Sequence, residues 1–276
     1  MNRQRNNRRS FERLETREMM AGNVAAVVTD GTLTITGDNK ANTVVMQEIG
    51  DTGQWKITMG AGTWSTSAQK KIITDTVTGD IVIDLQGGAD KLTIKNGTVP
   101  GALRILMGDG NDSASLANLQ IGTYLHFEGG AGSDQLSVSN VHVTDPTFAY
   151  FSSIDMQNGN DKANINQLFD QDLQLTMGAG NDQLSMTNSD FVGGPYQRLM
   201  VDSGDGNDAV KMTGDVTGPL SVDVGTGKNT LKVSGCTADT ASLLNEGTGS
   251  LAGSGNNFGS DTVGAGFTQL TGQFNI

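Results

Sequence analysis

The sequence predicts an all-β chain, a single-stranded parallel β-helix of about nine coils of 21–27 residues each, on three observations. The first is a recurring unit: an alternating apolar run, a Gly-rich turn, a polar marker and a second alternating run, clearest around Met107-Gly108-Asp109-Gly110-Asn111-Asp112. Its markers Asn42, Trp64, Asp90, Asp112, Asp134, Asp161, Asp182, Asp208 and Asn229 stand 22, 26, 22, 22, 27, 21, 26 and 21 residues apart. A self-similar period of this size marks a stacked repeat. The second is parity. Apolar residues sit two apart before the turn (Ile81, Ile83, Leu85; Leu103, Ile105, Met107) and after it (Leu92, Ile94; Leu136, Val138), as in strands with one buried face. The third is that apolar residues nowhere recur three and four apart for long enough to make a helix.

One unit cannot bury its apolar face alone, so neighbouring units must stack. Parallel strands at about 4.8 Å would then build a rod on the order of 40 Å long. A coil of 21–22 residues holds two or three short strands and their corners, which favours a right-handed parallel β-helix over tighter types.

Residues 1–29 do not share the unit. The first twenty carry +3, against −12 for the whole chain, leaving −15 to the remainder. An Arg-rich start runs into the mildly apolar residues 19–28, the order of a basic n-region and an apolar region; a processed leader and a disordered basic arm both fit. Residues 10–21, Ser10-Phe11-Glu12-Arg13-Leu14-Glu15-Thr16-Arg17-Glu18-Met19-Met20-Ala21, resemble the LEPR-xLL leader of large exported and surface proteins of planctomycete bacteria. Phe11, Leu14, Glu15 and Arg17 match, Met19-Met20 stand for the paired leucines, and Thr16 replaces the proline. The resemblance implies export and no particular activity. No stop-transfer helix follows, so no membrane insertion is expected.

Residues 30–235 carry the repeats. The first copy has Asn42 as marker, the second keeps its glycines but has Trp64, the next six carry Asp, and the ninth reverts to Asn229. The long steps fit loops extruded at a corner, at residues 144–148 and 193–196, each with a Pro. Six residues past the marker stand Asn96, Asn118, Asn140, Gln167 and Asn188, then Gly214 and Gly235. This constant offset predicts a ladder of stacked amides along the rod. Residues 236–276 turn to Gly, Ser, Thr and Asn and form a cap, a frayed tenth coil or a linker, with Phe267, Leu270 and Phe274 available to cover the open end.

Aromatics are only 5% of the chain against 38 Gly, which suits thin strand layers and many corners rather than one thick core. The acidic body argues against nucleic acid and favours cations. The lone Cys236 excludes an internal disulfide. Enzyme motifs of the H-E-x-x-H, G-x-S-x-G and G-x-G-x-x-G types are absent. His126 and His142 fall at outward strand positions. The enzyme alternative is a polysaccharide lyase or hydrolase, which needs clustered carboxylates beside a base, while Arg104 and Arg198 fall in separate coils.

The turn Gly129-Gly130-Ala131-Gly132-Ser133-Asp134-Gln135-Leu136 resembles the calcium-binding nonapeptide of repeats-in-toxin proteins, and residues 178–184 are a near match. The resemblance implies Ca²⁺ shared between Gly carbonyls and Asp carboxylates of stacked turns. Here, however, one such turn occurs per coil rather than two, and most copies lack the first glycine. Physically, stacking makes one column of Asp90, Asp112, Asp134, Asp161, Asp182 and Asp208 at roughly the strand separation. Like charges so close repel, raise each other's pKa or attract a cation. Asp109 and Asp205, with Asp155 and Asp202, add carboxylates nearby. All-oxygen ligands on flexible turns suit Ca²⁺ better than Mg²⁺. The expectation is a non-catalytic exported or cell-surface solenoid, structural or adhesive, binding calcium along this column. Surface polysaccharide or another surface protein would be its partner; a purely structural solenoid without metal is the alternative, its carboxylates fanning into water.

Overall fold

The computed structural model describes residues 22–65, 71–145, 149–191, 198–264 and 267–272. The leader-like residues 10–21, corner residues 146–148 and 193–196, and Phe274 lie outside the described residues. Among the described residues the chain is all-β with no helix, its strands stacked mostly in parallel into a β-solenoid of about eight turns.

Each full turn lays its residues into three columns. Before the Gly-rich turn, Leu33, Ile81, Leu103 and Leu125 stand in register, as do Leu173, Leu199 and Leu220. After it, Val44, Leu92, Ala114, Leu136, Ala163, Leu184, Val210, Leu231 and Leu251 form a continuous file. A bend then opens a short third column with Gly97, Leu119, Val141 and Leu168. These inward apolar side chains are all buried and merge into one core cluster. Full burial of a Leu or Ile contributes about 2 kcal/mol, so a coil gains its stability from the coils above and below.

The bend between the second and third columns explains the offset-six position. Asn96, Asn118, Asn140, Gln167 and Asn188 have φ between 50° and 57°, and Gly214, Gly235 and Gly255 have 65–70°. That left-handed region favours Asn and Gly over other residues. The amide ladder forms over its first three members: Asn118 Nδ2 donates to Asn96 Oδ1, and Asn140 Nδ2 to Asn118 Oδ1, each at 2.9 Å. Asn therefore does two jobs at this corner.

The amino-terminal end departs from the expected repeat. Asn42 stacks directly on Asp90, because β3 (Thr43–Glu48) pairs in parallel with Lys91–Val99. The copy marked by Trp64 is not a coil. Its alternating run is β4 (Gln54–Met59), which folds back antiparallel on β3 and carries Lys71–Thr76 antiparallel on its other edge. The turn between β3 and β4 supplies the signal missed, with Gly50 and Gly53 both at positive φ. A second hairpin joins β1 (Gly22–Thr29) to β2 (Thr32–Asp38) through Asp30-Gly31, both at positive φ, as a two-residue primed turn requires. Thus β1 covers the edge of the first column and β4 that of the second, and open edges are what such chains must protect. Trp55 completes the cap. Its indole occupies the place a side chain at Gly97 would take, since a Cβ there would lie 2.5 Å from Cη2.

Past Cys236 the stacking goes on. Thr237–Leu244 and Asn257–Val263 extend the first and third columns, and Thr248–Ser254 and Phe267–Gly272 the second. Phe267 packs against the core. Among the described residues no helix is long and apolar enough to cross a membrane.

Candidate metal centre

The Asp markers stand two residues before the first inward apolar residue of their strand: Asp112 before Ala114, Asp134 before Leu136, Asp182 before Leu184. Parity therefore turns them inward. Asp90, Asp112, Asp134, Asp161, Asp182 and Asp208 are only 1–3% exposed. The carboxylates do not fan into water; they line the inside of the Gly-rich corner.

The turns above them are tightly stacked. Gly110 adopts φ 152°, and a Cβ on it would fall 1.5 Å from Gly88 O. Only glycine brings the backbones this close.

Each carboxylate uses one oxygen to tie its turn to the preceding one. Asp90 N donates to Asp112 Oδ1 at 2.7 Å, Asp112 N to Asp134 at 2.8 Å, Asp134 N to Asp161 at 2.7 Å and Asp161 N to Asp182 at 2.7 Å. Asp182 N donates to Asp208 Oδ1 at 2.9 Å. The row closes at both ends on an amide: Asn42 N donates to Asp90 Oδ1 at 2.6 Å, and Asp208 N to Asn229 Oδ1 at 2.8 Å. It thus ends at Asn42 and Asn229, not at Trp64. The residue before the marker ties the other way. Ser133 N donates to Asn111 Oδ1, Asn181 N to Asn160 Oδ1, Asn207 N to Asn181 Oδ1 and Lys228 N to Asn207 Oδ1. The Gly-Asn-Asp sequence is explained by this pair of opposed ladders.

The second oxygen has no partner. Oδ2 of all six aspartates is buried without a hydrogen bond; beside Asp90 the Asn42 side chain, and beside Asp208 the Ser203 hydroxyl, approach without closing one. Asn229 shows what surrounds this position. Its Oδ1 plays the same part as the aspartates' Oδ1, so its Nδ2 stands where their Oδ2 stands. That Nδ2 donates to the backbone oxygens of Val224, Gly225 and Thr226. At the other end Asn42 Nδ2 donates to Asp38 O and Lys40 O. In the six coils between, the corresponding position holds an oxygen, which cannot donate to such carbonyls as the two Asn amides do. Oxygen against oxygen is repulsive, so a proton or a cation must stand between them.

Electrostatics point the same way. Burial pushes the carboxyls of Asp90 and Asp161 up to about 7 and those of Asp112 and Asp182 up to about 6 from 3.8, against the lowering effect of the donated N–H. Asp134 and Asp208 are raised for the same reason. Away from the row, burial also raises Asp170 to about 7 and Asp215 to about 6. A folded pKa above the unfolded one means the folded state holds its proton more tightly, so stability is lost as pH rises through this range. In a chelating buffer the melting temperature is expected to fall steadily from about pH 4 to about pH 7. A flat or rising profile would show that the buried oxygens are compensated some other way.

Asp109 and Asp205 lie on the exposed outer side of the turn. Asp205 Oδ1 accepts from Thr226 Oγ1 at 2.7 Å. Their charges reach the row at a distance, Asp109 raising Asp112 and Asp205 raising Asp208. Asp155 and Asp202 each bind the backbone N–H two residues on. Among the described residues no three His, Cys, Asp or Glu side chains come together as a metal cluster. A cation here would take one or two carboxylates and complete its shell with turn carbonyls, a donor set of hard oxygens that fits Ca²⁺ and not zinc. No family model, no curated protein and no solved structure matches the chain.

Proposed function

We propose that the chain is a non-catalytic β-solenoid of exported or cell-surface type, structural or adhesive, which binds Ca²⁺ between adjacent turns along the aspartate row. The observation that carries this reading is the file of six buried, unpartnered Oδ2 atoms, each held where Asn229 places an amide donor among three carbonyls. Asp90, Asp112, Asp134, Asp161, Asp182 and Asp208 would hold the ions, with the turn carbonyls, while Asp109 and Asp205 add negative potential outside. The similarity of residues 129–136 to repeats-in-toxin turns supports the ion, and that of residues 10–21 to an export leader supports the location. A charge of −12 favours a cation over nucleic acid. A surface polysaccharide or another surface protein would then dock on the lateral faces.

A second reading is supported by the carboxyls of Asp90 and Asp161, raised to about 7, and by the upward direction along the rest of the row: Oδ2 holds a proton and donates it to the carbonyls, and the solenoid is structural without metal. Calorimetric titration of the metal-stripped chain at pH 7.5 separates the two. Calcium is expected to bind at several sites with release of protons, and magnesium to substitute poorly because it demands stricter geometry. Absence of binding heat, with melting curves identical in chelator and in millimolar calcium, would leave the row to protons alone.

A further inference from the structure

Away from the turn row, two neighbouring coils build an aromatic and polar cleft on the lateral face. Tyr124, His126 and Glu128 project from one coil, and Ser153 and Asp155 from the next, with His126 level with Ser153 and Glu128 level with Asp155. Tyr150 and Phe151 enter from the segment just before Ser152–Asn158 and are 56% and 53% exposed. The rings of Tyr124 and Tyr150 lie 5.3 Å apart at 32°. Arg104, one coil back, holds Tyr124 by placing its guanidinium 5.2 Å from the ring centre and bonding the phenol oxygen. The cleft between these groups has a volume of about 220 Å³ and opens to solvent.

Its floor is a fixed relay. His126 Nε2 lies 2.9 Å from Glu128 Oε1, and Nδ1 lies 2.6 Å from Ser153 Oγ. An ionised carboxylate only accepts, so Nε2 carries the proton; in the neutral ring Nδ1 then accepts from the Ser153 hydroxyl. Gln157 Nε2 donates to the other Glu128 oxygen at 3.2 Å, which pins the carboxylate. Ser153 Oγ, in the lining of the cleft, keeps lone pairs able to accept. The N–H groups of Ala149 and Tyr150, on the cleft's wall, are already given to Asp145 Oδ2. With those donors committed, the serine is equipped to recognise a hydroxyl and lacks them as stabilisers for an oxyanion.

We infer that this cleft binds one neutral sugar ring of a polysaccharide chain. The exposed rings of Tyr150 and Phe151 match the apolar C–H face of a pyranose, and the ordered polar row beside them matches its hydroxyls. The volume suits a single ring and is below that of drug-sized sites. Glu128 and Asp155 beside the cleft, in a chain of net charge −12, disfavour an anionic sugar. The site specifies the polysaccharide partner named in the proposed function, yet it uses no residue of the aspartate row.

The test is affinity electrophoresis and calorimetry of the full chain with cellohexaose, xylohexaose, mannohexaose and, as the anionic control, hexagalacturonate. At least one neutral hexamer is expected to bind saturably, with tenfold or greater weakening in Tyr150→Ala and in Phe151→Ala, and severalfold weakening in Ser153→Ala. Both aromatic side chains are exposed, so the two variants should melt with the parent; measured melting curves separate lost recognition from lost folding. Each titration is run with chelator and with calcium, so that a failed calcium reading leaves this outcome standing. Binding of no neutral hexamer, equal binding by the Tyr150→Ala, Phe151→Ala double variant, or preference for hexagalacturonate would overturn the assignment.

Discussion

Gly180→Ala is expected to cost more than about 4 kcal/mol and to unfold the middle of the solenoid, an unusually large effect for adding one methyl group. Gly180 adopts φ 153°, and a Cβ there would lie 1.4 Å from Gly159 O and 2.5 Å from its carbonyl carbon. No rotamer relieves this, because Cβ has none. The clash is with backbone, and moving that backbone breaks the bond from Gly159 N to Ala179 O and the one from Gly180 N to Asp205 O. Ala179→Val, on the exposed adjacent position, is the control and should change stability by less than about 0.5 kcal/mol. Urea denaturation followed by far-UV circular dichroism reads both. Equal midpoints for the two variants would mean the turns are not stacked at this distance.

The second large effect reverses sign with the solvent. Asp161→Asn should stabilise the chain in chelator at neutral pH by about 2 kcal/mol, because it replaces a buried, uncompensated carboxylate with the amide already used at Asn42 and Asn229. In millimolar calcium the same variant should be less stable than the parent. A ligand at a hundredfold excess over its Kd stabilises by about 2.7 kcal/mol per site, and an interior carboxylate serves the sites on both its sides. Asp90→Asn, at the end of the row, should lose about half as much. Stabilisation in both buffers would assign the row to protons, while destabilisation in both would mean that the buried oxygen has a partner of another kind.

Most of the architecture is legible in the sequence because a solenoid writes its long-range contacts as a local period. The in-register file from Leu92 to Leu231 follows from two-residue parity and the 21–27-residue steps alone. The Trp64 coil fails for the same reason that the others succeed. Alternation tells strand from helix but not parallel from antiparallel, and the pairing of β4 with β3 is decided by the Gly50 to Gly53 turn. Inward aspartates were within reach of the sequence, since Asp112, Ala114 and Leu116 share one parity. Their lack of a second partner was not, because it depends on which carbonyls the turn aims at Oδ2. The lateral cleft was hidden more deeply. His126 and Ser153 are 27 residues apart, and their contact appears only when the long coil is set in register.

Leu33, Ile81, Leu103, Leu125, Ser152, Leu173, Leu199 and Leu220 each precede their marker by nine residues, however long the coil. All the extra length, from the 48 residues between Asn42 and Asp90 to the 27 between Asp134 and Asp161, enters elsewhere on the circumference. The corner therefore works as a graduated tape. Duplicating one coil adds one graduation of charge without altering the interval, and inserting a loop on the far side adds none. Such a molecule can vary in girth and in reach independently of its number of buried carboxyls, which grows only with the number of turns.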